Sequence, residues 1–386
     1  MASASDAELL KMFNDQRHHH LVRAANRIAP RLAGRAYQHD KDASFPFNDY
    51  TDLRAARLLG LTIPKRHGGT LVSPLVRAAV LAQLAEASGP TALTFVMHLT
   101  CAGFVAAVGN DEVKNIILPA VTKNGALLAS CTSEPKKTFR GPYRLDTEFI
   151  PEKDGVRVVG NKNFATLAGA AAYYLVNGKL RGSNSTKEGF MLAAIPARDV
   201  RITQEWNAIG MRATASHAIE FDAFVPNSLI IGRPGQLLET DEFTNFMFGY
   251  AAVGIGLSIA ALKYTKEVTF QTHRVMGRRD AQIVQELEAL IDQCKVHLTA
   301  AAIAKQQKSK EATTLTAIAK YHATEAAPEI TWRCIKLAGG RGILKGENHP
   351  LERWHRDSLC GALMPSPNIR IEETDFGSLA PLIEWS

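Results

Sequence analysis

Hydrophobic and polar positions along the 386 residues fall into three successive rhythms. Up to residue 125, apolar side chains recur at helical spacing. Ala56–Leu61 reads as part of a helix that Ile63-Pro64 and Gly68-Gly69 break off, since proline has no amide proton to continue the ladder. Ser73-Pro74 opens the next helix, which carries Leu75, Ala79, Leu81, Leu84 and Ala85 and stops at Ser88-Gly89-Pro90. Thr91–Val108 and Asp111–Leu118 read as two further helices.

From 126 to 236 the apolar runs shorten to strand length: Leu127–Ser130, Thr147–Ile150, Val156–Val159, Ala172–Val176, Phe190–Ile195 and Ala218–Val225. Lys153-Asp154-Gly155 is a turn between two of them. Beyond 237 the pattern is helical again. Phe243–Val268 is apolar on more than one side and reads as a buried helix, followed by two long helices at Asp280–Lys305 and Thr313–Leu337. No apolar run looks long enough for the roughly 20 residues of a bilayer span. The expected fold class is α+β: an N-terminal helical domain (1–125), a central β-sandwich or barrel (126–236) and a C-terminal four-helix bundle (237–386).

A formal charge of +7 raises the question of an anionic partner. The basic residues are scattered, with Lys136-Lys137, Arg140 and Arg278-Arg279 as the densest groups, which fits a phosphorylated cofactor or CoA better than nucleic acid. The five cysteines are widely spaced with no C-x-x-C pair, which argues against a disulfide framework and a zinc site. The opening MASASDAELLKMF lacks a basic region leading into an apolar one and predicts a leaderless cytosolic protein.

Six local patterns occur in order: Ile63-Pro64 with Gly68-Gly69; His98, Gly109-Asn110 and Leu118-Pro119; Ser133-Glu134-Pro135; Gly160 to Thr166; Gly210-Met-Arg212-Ala-Thr214-Ala-Ser216 with Phe221 and Val225-Pro226; and Gly339-Gly340-Arg-Gly342 with Pro350-Leu-Glu-Arg353 and Arg356-Asp357. Together they resemble the acyl-CoA dehydrogenase superfamily over nearly the whole chain. The resemblance implies FAD. Phe164 would lie against a face of the isoalloxazine, and Ser130, Thr132, Ser133 and Thr166 would donate along its polar edge. Gly339, Gly340 and Gly342 would approach the adenosine half from a neighbouring subunit, with Arg274 near the pyrophosphate. It further implies a homodimer or homotetramer, an acyl thioester on CoA or a carrier protein as substrate, and an electron-transfer or reductase partner. Gly254-Ile-Gly256 lies inside a helix and reads as a packing feature, not a nucleotide fingerprint.

The departures bear on the reaction. A thioester dehydrogenase needs a carboxylate within reach of the α-carbon. The family carries it about eight residues beyond the Arg-Asp pair, where this chain has Met364-Pro365-Ser366-Pro367, or near the start of the long buried helix, here about Phe246. Glu239, Asp241 and Glu242 read as charges at that helix's N-terminus. Glu372, Glu373 and Asp375 form the next acidic group, with Asp375 the candidate base. The glycine-rich stretch after the Glu-Pro pair is replaced by Lys136–Arg140, and the histidine of the oxygen-using branch is replaced by Met364. His98 stands where both branches place a histidine and is a second catalytic candidate. The leading expectation is an FAD-dependent oxidoreductase on an acyl thioester with an atypical or missing base. The alternatives are a two-component monooxygenase of the same fold and a catalytically inactive partner subunit.

Overall fold

The computed structural model describes residues 18–135, 145–271, 277–364 and 368. The N-terminal helices are α1 (His19–Asp42), α2 (Phe47–Ala55), α3 (Pro74–Ala87), α4 (Gly89–Val108) and α5 (Asp111–Asn124). Caps set their starts: the side chain of Ser73 accepts from Val76 N, that of Ser88 from Thr91 N, and that of Asn110 from Val113 N. Two boundaries differ from the sequence reading. The helix before Ile63-Pro64 ends at Ala55, and Arg57 adopts a left-handed backbone where Ala56–Leu61 was expected to be helical. α5 runs through Pro119 to Asn124 and stops at left-handed Gly125. Proline costs that helix one ladder bond, and the carbonyl it frees belongs to exposed Asn115.

The strands are β1 (Leu128–Cys131), β2 (Glu148–Glu152), β3 (Gly155–Ala165), β4 (Tyr173–Leu180), β5 (Phe190–Pro196), β6 (Arg201–Gln204) and β7 (His217–Pro226). They form one curled seven-stranded sheet in the order β1-β4-β2-β3-β7-β6, with β5 paired to β4, rather than two facing sheets. β2 and β3 make the expected hairpin, with Asp154 left-handed at its tip. The four-residue β6, exposed throughout, carries no apolar signal and was not legible in the sequence.

The C-terminal helices are α6 (Thr244–Gln271), α7 (Arg278–Gln307), α8 (Ala312–Ala338) and the short α9 (Leu351–Ser358). α4 and α6 are both long and apolar enough to cross a membrane, contrary to the expectation above, yet 89% and 100% of their apolar windows lie buried inside the fold. Glycine lets the neighbouring helices close on α6. A Cβ at Gly256 would sit 2.3 Å from the Ala82 carbonyl oxygen of α3, and one at Gly249 2.3 Å from Val96 of α4.

A buried ion pair ties the β-region together. Glu134, just after β1, accepts from Lys162 Nζ of β3 at 2.8 Å, with side chains 1% and 0% exposed. It also accepts from Thr147 Oγ1 at 2.7 Å, Thr147 N at 3.0 Å and Asp146 N at 2.7 Å, while Lys162 donates to Asn177 Oδ1 of β4 at 2.9 Å. Burial alone would raise the Glu134 pKa; the ammonium and these donors outweigh it and hold the carboxyl below its usual range. Removing one partner strands the other charge without solvent. Glu134→Gln should therefore lower unfolding free energy by about 3–5 kcal/mol, read from denaturant midpoints. The double variant Glu134→Gln/Lys162→Met should recover much of that loss.

Candidate active site

The end of β3 and the loop before β7 meet in a strained constellation. Phe164, Leu167, Met211 and Ala215 all have left-handed backbone (φ +57°, +70°, +51° and +46°), four of the nine such non-glycine residues among those described. Each costs on the order of 1 kcal/mol or more, and concentrated strain of this kind marks functional sites. The register of β3 against β7 shifts between Lys162 and Ala165, which frees Phe164 from the ladder. The residue is 58% exposed.

Two connections hold the loop. Leu167 N and Ala168 N donate to the carbonyls of Thr214 and Ala215. The hydroxyls of Thr166, Ser216 and Thr214 follow one another at 2.9 and 2.8 Å, and Thr214 Oγ1 donates to the Met211 carbonyl at 2.9 Å. Trp206, which the sequence reading passed over, stands edge-on to Phe164 with ring centroids 5.8 Å apart. Its indole N–H donates to Met211 O at 2.9 Å and its main-chain N–H to His217 Nδ1 at 2.8 Å.

The C-terminal region backs this loop. Met211 N donates to Asp357 Oδ1 at 2.6 Å, and Arg356 links Asp40 of α1 (2.7 Å), Glu352 (2.7 Å) and the Ile209 carbonyl (2.9 Å). Asp357 Oδ2 is buried without a hydrogen-bond partner, and burial pushes this carboxyl up to about 7. It lines a cavity of about 10 Å³, bounded also by Leu93, Tyr250, Val253, Leu257 and Met364. That is room for about one water molecule. Behind Met364, the fully buried Lys320 of α8 donates to Asn368 Oδ1 at 2.6 Å and approaches the carbonyls of Ala362 and Met364. Burial lowers its pKa to about 7. A wider groove of about 480 Å³ runs along β3, β6 and β7. The charges there, Arg201 with Glu220 and an Asp222 paired to Arg157, neutralise one another, and neither Phe164, Thr166, Trp206, Met211 nor Asp357 lines it.

The structure brings some expected residues together and redirects others. Ser130 and Thr166 are bridged across β1 and β3, and Ser133 O accepts from Asn163 N at 2.8 Å, so the β1 end does flank Phe164–Thr166. The Ser130 side chain, however, lies toward the buried Cys101 thiol of α4. Thr132 and Ser133 stay half-buried at the rim. His98 is wholly buried: its Nε2 faces the Leu59 carbonyl at 3.2 Å and its Nδ1 accepts from Leu128 N at 3.2 Å. With Nδ1 accepting from main chain, Nε2–H donating to main chain and burial lowering its pKa to about 4, it pins β1 to α4, a structural place rather than the catalytic one expected.

Gly342 packs on the Ile335 carbonyl, whereas Gly339 and Gly340 face open space, so only those two offer a close approach to an outside group. Arg274, Asp375, Glu372 and Glu373 lie outside the described residues, as do Lys136, Lys137 and Arg140. At the second expected base position, Phe246 is buried against Phe104 (5.7 Å) and Tyr250 (6.5 Å). Asp241 and Glu242 beside it face Lys305 and Arg77.

These features suit a flat, two-faced ring with a polar edge: an outward aromatic on a strained backbone, a hydroxyl chain beside it, and main chain at the β1 end. The family comparison places the chain accordingly. The acyl-CoA dehydrogenase N-terminal domain matches residues 15–125 and the acyl-CoA dehydrogenase C-terminal domain matches 246–364, and the chain belongs to the acyl-CoA dehydrogenase superfamily. It is 26% identical over 366 residues to YdbM of Bacillus subtilis, which is named provisionally as an acyl-CoA dehydrogenase, covering 91% of this chain and 94% of that one. It is 25% identical over 262 residues to a dibenzothiophene monooxygenase of Rhodococcus erythropolis, covering 64% and 62%. Among solved structures, butyryl-CoA dehydrogenase of Megasphaera elsdenii superposes with a TM-score of 0.85 at 20% identity over 94% and 97% of the two chains. FMN-bound TdsC of Paenibacillus sp. A11-2 gives 0.81 at 19% identity over 92% and 95%.

Two outcomes are expected. Phe164→Ala should leave the thermal midpoint nearly unchanged, because the ring is exposed, while flavin binding measured by equilibrium dialysis weakens by about 1–2 kcal/mol, roughly tenfold. Asp357 has a folded pKa above its unfolded one. The folded state therefore holds the extra proton between about pH 4 and 7, and the stability it contributes at low pH is lost as pH rises through that window. Asp357→Asn keeps the acceptor for Met211 N and should flatten that slope in unfolding curves taken from pH 5 to 8.

Proposed function

We propose that the chain is a flavin-dependent oxidoreductase of the oxygen-using kind, a monooxygenase supplied with reduced flavin by a separate reductase. The observation that carries this reading is the absence of a carboxylate at both places where a thioester dehydrogenase of this fold holds its base. One falls in Met364-Pro365-Ser366-Pro367; the other is about Phe246, whose ring is packed into an aromatic cluster. Asp357, the carboxylate lining the cavity near Met364, is held by Met211 N beside a space for about one water molecule, too small to admit the α-carbon of a thioester. The sequence likeness to a dibenzothiophene monooxygenase supports the same side.

Bound flavin would supply electron transfer and, once reduced, reaction with dioxygen. The protein's part is positional. Phe164 would cover one face, Thr166 and the main chain at Thr132–Ser133 would meet the polar edge, and α4 and α6 would keep water from the interior side. We take the flavin to be FAD, its adenosine half against the open Gly339-Gly340 turn of a second copy in a homodimer or homotetramer.

A second reading keeps thioester dehydrogenation, with the base drawn from Glu372, Glu373 or Asp375. The near full-length likeness to YdbM favours it. One set of anaerobic measurements separates the two. The oxygen-using reading expects tight binding of reduced FAD or FMN, and no bleaching of bound oxidised flavin by acyl-CoA thioesters from butyryl to palmitoyl. Bleaching that disappears in Asp375→Asn would establish the second reading. Failure to bind either redox form would leave the inactive partner subunit.

A further inference from the structure

The hydroxyl chain beside Phe164 has a direction, and the direction is fixed at one end. The Met211 carbonyl can only accept, and its two lone pairs serve the Trp206 indole N–H and Thr214 Oγ1, each at 2.9 Å. Were the Thr214 proton turned elsewhere, two oxygens would face each other at that distance with no hydrogen between them. Thr214 therefore donates to Met211. A hydroxyl has one proton, so Ser216 is the donor in its 2.8 Å contact with Thr214. The same count passes along the chain and makes Thr166 the donor in its 2.9 Å contact with Ser216. All three residues are buried, which keeps bulk water from exchanging these roles. With its proton committed to Ser216, the Thr166 oxygen has only lone pairs to offer another partner.

This reverses the expectation that Thr166 donates to the cofactor edge. We infer that Thr166 meets its ligand only as an acceptor, and that the site therefore holds reduced flavin more tightly than oxidised flavin. The inference rests on the flavin reading above. The oxidised isoalloxazine edge presents acceptors at N1, O2, O4 and N5, with N3–H as its only donor. Two-electron reduction adds a proton at N5 and so a second donor. An acceptor-only wall mismatches most of the oxidised edge and gains a partner on reduction. Ser216 and Thr214 are then positioning residues: they need not touch the flavin, but they set which way the Thr166 proton points.

The test compares Kd values for oxidised and reduced FMN and FAD, measured anaerobically by equilibrium dialysis, together with the midpoint potential of the bound flavin. The wild-type chain should favour the reduced form by roughly tenfold or more, which for a two-electron couple raises the potential by about 30 mV over free flavin. Ser216→Ala removes the acceptor that fixes the Thr166 proton, so oxidised flavin should bind more tightly and the ratio should fall toward one. Thr166→Val should also lower the ratio, but by weakening the reduced form, and it tests the idea should Ser216→Ala not fold. A wild-type preference for oxidised flavin, or an unchanged ratio in both variants, overturns the inference while leaving the flavin reading intact. Binding of neither form by the wild type overturns both.

Discussion

The Glu134–Lys162 pair is the constraint on which the site geometry depends. Four segments converge on two charges that water does not reach: the stretch after β1, the start of β2, the middle of β3 and the body of β4. A buried ion pair is a poor source of net stability, because desolvation offsets most of its attraction. What it supplies here is placement. Once Glu134 has collected its donors, Ser133 must lie beside Asn163, and Phe164 must leave the ladder two residues beyond Lys162. The strained aromatic and the rim of hydroxyls are therefore set by a polar contact some residues away from either.

A second set of constraints acts from the helical side. Arg356 joins α1, α9 and the loop at Ile209, and its neighbour Asp357 holds Met211. The Met211 carbonyl then receives both Trp206 and Thr214. One residue with a left-handed backbone thus couples the C-terminal helices to the polar edge of the site. The Arg-Asp pair, which in the sequence looked like a landmark for a base further along, acts in the fold as the anchor of the β6–β7 loop.

Legibility in the sequence followed the physical source of each feature. Long apolar helices such as α6 and α8, and strands with apolar cores such as β5, were readable because burial writes a periodic pattern. The exposed β6 was not, since it needs no such pattern, and the amphipathic α9 is only eight residues long and buries polar side chains along with Leu351 and Trp354. The motifs that hold Glu134 and Lys162 come together at the β1–β3 neighbourhood, and Phe164 stands out from it. The direction of the hydroxyl chain was beyond reach, because it depends on a carbonyl at Met211 that meets Thr214 across a single 3-10 turn opened by the left-handed Met211. Trp206 gave no signal beyond being a tryptophan near a turn. The letter alone does not show that both ring nitrogens of His98 are spent on main-chain contacts.

Lys320 has a consequence that reaches past this one chain. Its ammonium sits where no water reaches it, satisfied in part by the amide oxygen of Asn368 and the carbonyls that follow α9. Asn368 in turn donates to Thr324 and Glu325 on the same helix. Neither partner can be lost alone without stranding a buried polar group. Across descendants of a common ancestor, Lys320 and Asn368 should consequently be inherited or replaced together, leaving a covarying pair 48 positions apart that marks how the segment after α9 is seated in each lineage.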